Sequence, residues 1–259
     1  MTKTYEPCHG AALLPDQPVD KALVRRRFAR AVATYDGQAK VQAAMARHLC
    51  GLLPARQYGA VLEIGCGTGL LTREVAARLS FSTYTANDLV PECGVGLQAL
   101  LPQAQFIAGD MDSLALAGGY DLVLANASLQ WSHALPALLA RLYAALAVGG
   151  VLAFSLFGQR NLWQIREYFG VGLAGLPLEA VGRLVQGRLL HLEEEEQECC
   201  FDSPLAVLRH LQQTGVNAVA GSVTVLSPAA LRRFNHAYRA RYACRLTYQP
   251  QYIVLCKIA

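Results

Sequence analysis

Apolar and polar positions along this chain follow two different periods. From about Asp20 to Tyr35, the residues Val24, Phe28, Ala31 and Tyr35 recur on one helical face, and Asp20 stands where a helix cap is expected. A second helix is predicted at about 37–53, with Val41, Met45, His48-Leu49 and Leu52 inward and Pro54 ending it. Short apolar runs then alternate with helical repeats. Strands are predicted at 60–64, 81–87, 104–108, 120–125 and 151–157. Helices are predicted at 69–79, at about 92–101 and at 135–147, the last with Pro136 in its first turn, where a missing N–H does no harm. This alternation predicts an α/β fold, a mostly parallel sheet wound on both faces. Ligands of such sheets sit beyond the carboxyl ends of the strands, near the switch point. The two N-terminal helices are expected to flank that end as a lid.

After Phe157 the pattern changes. Short helices are predicted at Asn161–Phe169 and Pro177–Val185. In the stretch His191–Phe201 the second half is expected to be a strand, and Glu193-Glu194-Glu195-Glu196 a solvated, acid-rich start to it. Ser203-Pro204 opens a helix to about Gln213, broken at Thr214-Gly215, and Ser227-Pro228 opens another to about Tyr242. Gln251–Ile258 is a clear apolar strand. Two such late strands are expected to add an antiparallel pair at the sheet edge. The whole is read as one domain, 1–259: an arm and lid helices at 1–54, a ligand-binding core at 55–158, and sheet completion with a helical substrate cap at 159–259.

Composition narrows the classes. With 53% hydrophobic and 16% charged residues, a sizeable core is expected and disorder is not. No run of about 20 residues is apolar enough to span a bilayer, and Met1–Gln17 lacks the pattern of a secretory signal. The eight cysteines show no C-x-x-C pair and no metal-ligand spacing, so free thiols in a reducing cytoplasm are expected, with no bound metal. A net charge of +4 is too mild for a nucleic-acid partner. The charge is nonetheless clustered: Lys21, Arg25, Arg26, Arg27 and Arg30 crowd the first helix, and Arg232, Arg233, Arg239, Arg241, Arg245 and Lys257 fall after the last acid, Asp202. Each cluster alone reads as a solvated face; together they point weakly to an acidic partner or an anionic substrate.

Candidate chemistry centres on Val61-Leu62-Glu63-Ile64-Gly65-Cys66-Gly67-Thr68-Gly69, a strand running into a glycine turn and then a helix. Glycine lets the backbone bend sharply and a ligand approach it. Dinucleotide sites space their glycines differently and hold a pyrophosphate on the helix N-terminus. Here Gly65, Gly67 and Gly69 alternate, and Glu63 precedes them; a carboxylate there repels pyrophosphate and suits a cationic ligand such as S-adenosyl-L-methionine. Asp88, or its neighbour Asn87, ends the second strand where a ribose acceptor belongs, and Asp88 is preferred. Asp110 after the third strand is placed to accept from an adenine amino group, with Met111 packing on the ring. A turn role for Asp110 is the competing reading.

These motifs, with Tyr120-Asp121-Leu122-Val123-Leu124 leading to Asn126 and Trp131, resemble the class I S-adenosylmethionine-dependent methyltransferases over roughly residues 35–157. That resemblance implies a Rossmann-like, seven-stranded, doubly wound sheet. A narrower likeness spans most of the chain. Arg30-Ala31-Val32-Ala33-Thr34-Tyr35-Asp36, Val41-Gln42, Asn126-Ala127-Ser128-Leu129-Gln130-Trp131, Ala153-Phe154-Ser155, Phe157-Gly158, His210-Leu211, Thr214-Gly215-Val216-Asn217-Ala218 and Leu246-Thr247-Tyr248 are similar to the malonyl-[acyl-carrier protein] O-methyltransferases of biotin synthesis. Val148 departs from the family's usual proline.

The resemblance implies methyl transfer to a malonyl carboxylate, with S-adenosyl-L-homocysteine as the other product. It also implies an acidic partner, malonyl-acyl carrier protein, or else malonyl-CoA, and no membrane. A carboxylate is already ionised at pH 7, so alignment replaces any acid–base residue. Cofactor contacts are expected from Tyr35, Gln42, Glu63, Gly65, Cys66, Gly67, Gly69, Asp88, Leu89, Asp110, Met111 and Asn126. The substrate is expected to meet Tyr35, Gln130 and Trp131, with Arg241 or Arg245 holding its carboxylate. Three rivals stay open: a methyltransferase for another small acid or natural product, a non-catalytic S-adenosylmethionine-binding module, and a dehydrogenase, which Glu63 disfavours.

Overall fold

The computed structural model describes residues 19–170, 172, 175–214 and 227–258. The arm at 1–18 and the Gly215-Val216-Asn217-Ala218 part of the likeness lie outside the described residues. Two helices come first, α1 (Lys21–Gln38) and α2 (Lys40–Gly51). Asp20 caps α1 by accepting from the Leu23 N–H at 2.9 Å. The alternating part follows: β1 (Tyr58–Ile64), α3 (Leu70–Arg78), β2 (Phe81–Asp88), α4 (Cys93–Leu100), β3 (Gln105–Ala108), β4 (Tyr120–Asn126), α5 (Leu135–Ala145) and β5 (Leu146–Phe157). The remainder holds α6 (Trp163–Phe169), α7 (Leu178–Leu184), β6 (Arg188–Glu194), β7 (Gln197–Cys200), α8 (Pro204–Gln213), α9 (Pro228–Tyr242), β8 (Arg245–Tyr248) and β9 (Pro250–Cys256).

Seven strands form one sheet in the order β3-β2-β1-β4-β5-β9-β6. β1 to β5 run parallel, and β9 is antiparallel to both of its neighbours. Strand alternation sends residues to opposite faces. Val61, Leu122, Leu124, Val151, Ala153 and Val254 join a core under α2 and α3, whereas Leu62, Ile64, Val123, Leu152, Phe154 and Ile253 join one with the apolar face of α5. Each fully buried Leu, Ile or Val contributes about 1.5–3 kcal/mol. Glu63 shares the α2–α3 face, and it is there that a charge has to be accommodated.

Two strand expectations are corrected. Within the acid-rich start of the 191–201 stretch, Glu193 and Glu194 are themselves strand, the end of β6, which pairs with β9 from Arg188↔Cys256 to Glu194↔Gln251, while Glu195 and Glu196 link it to the next strand. β6 is an edge strand, where charged side chains are tolerated and discourage further pairing. Gln197–Cys200 forms a strand too, but in a separate two-stranded sheet with β8. The antiparallel addition at the edge is therefore β9 and β6. The α5 helix ends at Ala145, and β5 begins already at Leu146, pairing with Tyr120 before the register shifts. Val148 lies exposed in that irregular stretch.

Candidate functional site

Beyond the carboxyl ends of β1, β2 and β4 lies a cavity of about 850 Å³, partly open to solvent. Its floor is Glu63, Gly65, Cys66, Gly67 and Thr68, its far wall Asp88, Leu89, Val90, Cys93 and Met111, and its near wall Asn126, Ala127, Ser128 and Trp131. The roof is α1, which turns Val24, Phe28, Val32 and Tyr35 inward at helical spacing, joined by Gln42 of α2. Phe28 meets the Trp131 ring edge-on at 5.9 Å.

The glycine turn makes most of that floor and holds three left-handed glycines, at φ +69, +53 and +83 for Gly65, Gly67 and Gly69. A Cβ at Gly65 would stand 2.4 Å from the Ser128 Cβ, so β1 can turn there only without a side chain. At Gly67, which lines the cavity, a Cβ would meet nothing within 4 Å. The turn is tied to β2 by Asp88, whose carboxylate accepts from the Gly67 N–H and the Val90 N–H, each at 2.8 Å. Burial raises the Asp88 pKa, and these backbone bonds oppose the rise. Asn87 is the alternative that drops out: its amide donates to the Ile107 and Gly109 carbonyls, away from the cavity.

Glu63 is 1% exposed. One of its oxygens, Oε2, accepts from the Thr72 hydroxyl at 2.6 Å and from the Tyr84 hydroxyl. Burial pushes its pKa up to about 7, against the pull of those two donors, with the nearby Asp88 charge adding to the rise. Cys66 and Cys93 are buried thiols with raised pKa values, chiefly from burial. Gln42 is 3% exposed and its Oε1 has no partner, while its backbone carbonyl accepts from Asn126 Nδ2 at 3.0 Å. Asn126 is fixed in turn by the Ser155 hydroxyl at 2.7 Å.

The roof is pinned at both ends. Asp36 near the end of α1 accepts from Thr68 in the glycine turn and from Arg73 of α3. Lys21 at its start pairs with Asp110 and with Asp112, and Asp112 also accepts from the His133 N–H at 2.8 Å. Burial works to raise the Asp112 pKa, but the Lys21 ammonium and the Ser132 hydroxyl outweigh it and the net shift is downward.

Of the residues singled out in the sequence, Tyr35, Gln42, Glu63, Gly65, Cys66, Gly67, Asp88, Leu89, Met111, Asn126 and Trp131 line the cavity. Five do not. Gly69 forms the entry to α3. Asp110 is held by Lys21, so the lid rather than an adenine takes its charge here. Gln130 turns its amide to the Ala127 carbonyl at 2.6 Å and leaves Oε1 buried without a partner. The two arginines are corrected: Arg241 pairs with Glu167, and Arg245 with Glu198 at 3.0 Å, both on exposed surface. Their elements, α9 and β8, pack against α8, β7 and α6 rather than over the strand ends. No lysine, arginine or histidine among the described residues lines the cavity. Thr72 and Tyr84 were not singled out; a hydroxyl three residues into a helix and a tyrosine inside a strand carry no local signal.

A glycine turn between β1 and α3, an acid at the end of β2 and this strand order define a methyltransferase domain, and the model of a family described as "Methyltransferase domain" matches residues 35–220. Among solved structures, the N-methyltransferase NodS of Bradyrhizobium japonicum is similar with a TM-score of 0.54 at 15% identity, covering 90% of this chain and 98% of that one. The [4+2]-cyclase SpnF is similar at 0.58 and 16% identity, covering 95% of this chain and 98% of its own. These likenesses concern the fold alone, which hosts more than one chemistry. Closer relatives narrow the class. The malonyl-[acyl-carrier protein] O-methyltransferase of Chlorobium luteolum is 38% identical over 92% of this chain and 96% of its own length, and that of Prosthecochloris aestuarii is 36% identical over 91% and 93%. The chain belongs to the malonyl-[acyl-carrier protein] O-methyltransferase family.

Proposed function

We propose that the protein methylates the free carboxylate of a malonyl thioester carried on acyl carrier protein, with S-adenosyl-L-methionine as methyl donor, early in biotin synthesis. The observation that carries this reading is the agreement of relatives with that activity at 36–38% identity over more than nine-tenths of the chain. The cavity supports the cofactor. Among the described residues it offers two carboxylates, an orphaned amide oxygen on Gln42 and no cation, a set that suits a cationic nucleoside. When bound, S-adenosyl-L-methionine supplies a methyl group activated by a sulfonium.

The chain's own residues bind and orient. Asp88, fixed by two backbone N–H groups, accepts from ribose hydroxyls. Leu89, Val90 and Met111 give an apolar slot for the base. Glu63 and the Gln42 amide oxygen face the cationic end. The malonyl carboxylate is already ionised at neutral pH and calls for no base. Catalysis then rests on alignment beneath Tyr35 and Trp131 and on the exclusion of water by α1. Neutral donors, the Tyr35 hydroxyl foremost, take the role once given to Arg241 and Arg245; that hydroxyl makes no hydrogen bond among the described residues, and burial raises its pKa so that it stays a donor.

For the carrier, Arg25, Arg26 and Arg30 lie exposed on the outer face of the roof helix, and Arg209 is exposed on α8, which packs against it. Such a basic face steers an acidic protein towards the cavity. Reversing Arg25, Arg26 and Arg30 to glutamate raises KM for malonyl-carrier by roughly tenfold or more at low salt, an effect that fades as salt screens it. KM for malonyl-pantetheine stays unchanged. Equal changes for both substrates would refute the docking role. No helix is long and apolar enough to cross a membrane among the described residues, and we take the cytoplasm as the place of action. A second reading, methyl transfer to another small carboxylic acid, draws on the lack of a cation lining the cavity. Turnover on malonyl-carrier beside a panel of free acids separates the two.

A further inference from the structure

Glu63 sits in an unusual electrostatic position. Among the described residues it is a buried carboxylate facing a cavity that no cation lines, and two neutral hydroxyls alone support its charge. Thr72 reaches it from α3 and Tyr84 from β2, and both are almost wholly buried, at 0% and 2% exposed. Both donate to Oε2, leaving Oε1 without a hydrogen bond among the described residues, and Glu63 lines the cavity. The titratable groups around it are the Asp88 carboxylate and Tyr84 hydroxyl from β2 and the Cys66 thiol from the turn, so no neighbour among the described residues supplies positive charge. Burial and the Glu63 anion push the Tyr84 hydroxyl well above its ordinary value, so it remains a donor.

We propose that Thr72 and Tyr84 are positioning residues that hold Glu63 for the cofactor's cationic end and couple cofactor capture to the release of a proton. The inference rests on the assignment of Glu63 to the cofactor site. Its physical basis is a balance. Burial favours the neutral acid, two hydroxyl bonds favour the anion, and the balance lies at about 7. A cation entering the cavity tips it, so the proton leaves as the ligand arrives. Affinity for S-adenosyl-L-methionine then falls up to tenfold per pH unit below about pH 7, because the protonated acid must first be ionised, and the plateau above it ends where the ligand's own ammonium group loses its proton.

The test is calorimetric titration of the full chain with S-adenosyl-L-methionine across this range, in buffers of differing ionisation enthalpy, with adenosine as the cation-free probe. Adenosine still engages Asp88, so any proton linkage from Asp88 is common to both ligands, and the Glu63 linkage belongs to S-adenosyl-L-methionine alone. Tyr84→Phe keeps the ring and removes one donor to the anion, and the knee in affinity moves to higher pH by about a unit. Thr72→Val does the same, and Thr72→Ser restores the parent profile. Glu63→Gln gives weak binding without the extra proton release. The proposal is overturned if Tyr84→Phe and Thr72→Val weaken binding by one factor at every pH, the mark of a merely structural role, or leave it unchanged. If neither adenosine nor S-adenosyl-L-methionine binds the parent protein, the cofactor site itself is misassigned and the inference falls with it.

Discussion

Replacing Asp88 by alanine lowers affinity for S-adenosyl-L-methionine by about 10- to 100-fold while leaving the chain folded. Hydrogen bonds to a charged group contribute about 1.5–3 kcal/mol each, and tenfold corresponds to about 1.4 kcal/mol. The carboxylate bridges the turn and the second strand through the Gly67 and Val90 N–H groups, so its removal also loosens the floor on which the ligand rests. Asp88→Asn keeps an acceptor and the side-chain shape, and its loss is smaller. Equilibrium binding by fluorescence or calorimetry, with melting curves as the check on folding, measures both. An Asp88→Ala protein that binds as tightly as the parent removes the ribose assignment.

Two glycines of the same turn separate stability from binding. Gly65→Ala places a Cβ against the Ser128 side chain at a backbone angle alanine disfavours. The strain and overpacking together destabilise by about 2–4 kcal/mol, seen as a clear fall in Tm. Gly67→Ala meets open space, so only the left-handed angle, at about 1–2 kcal/mol, counts against folding. Its methyl group intrudes where the ligand lies, so affinity falls further than stability does. Equal losses of Tm, with unchanged binding in Gly67→Ala, would mean that the cavity above Gly67 is not the cofactor's.

What could be read from the chain alone was what is local. β1 and its turn were legible because an apolar run, three alternating glycines and a helical repeat adjoin one another. That Asp88 and Met111 line the cavity was legible because strand ends in a parallel sheet all point to one edge. Arg241 and Arg245 were misplaced because their distance from the cavity depends on how α9 and β8 dock, which no local pattern records. Asp110 offered itself as an adenine acceptor, but Lys21 lies 89 residues earlier in the chain and meets it only because α1 folds back over the strand ends. The first half of β6 was hidden by a loosely alternating edge sequence, and the acids of its second half disguised a strand as a solvated lead-in. The pair that tunes Glu63 was invisible for the same reason as Asp110's partner: Thr72 and Tyr84 converge from two elements onto one oxygen.

The measurement that bears most directly on the central claim is intact-mass analysis of malonyl-acyl carrier protein after incubation with the protein and S-adenosyl-L-methionine. The carrier is expected to gain the mass of one CH2 group, methyl for proton, in equal amount to the S-adenosyl-L-homocysteine formed, and mild alkaline cleavage of the thioester is expected to release malonic acid monomethyl ester. An unmodified carrier, under conditions where the protein binds the cofactor and methylates another acid, would contradict it.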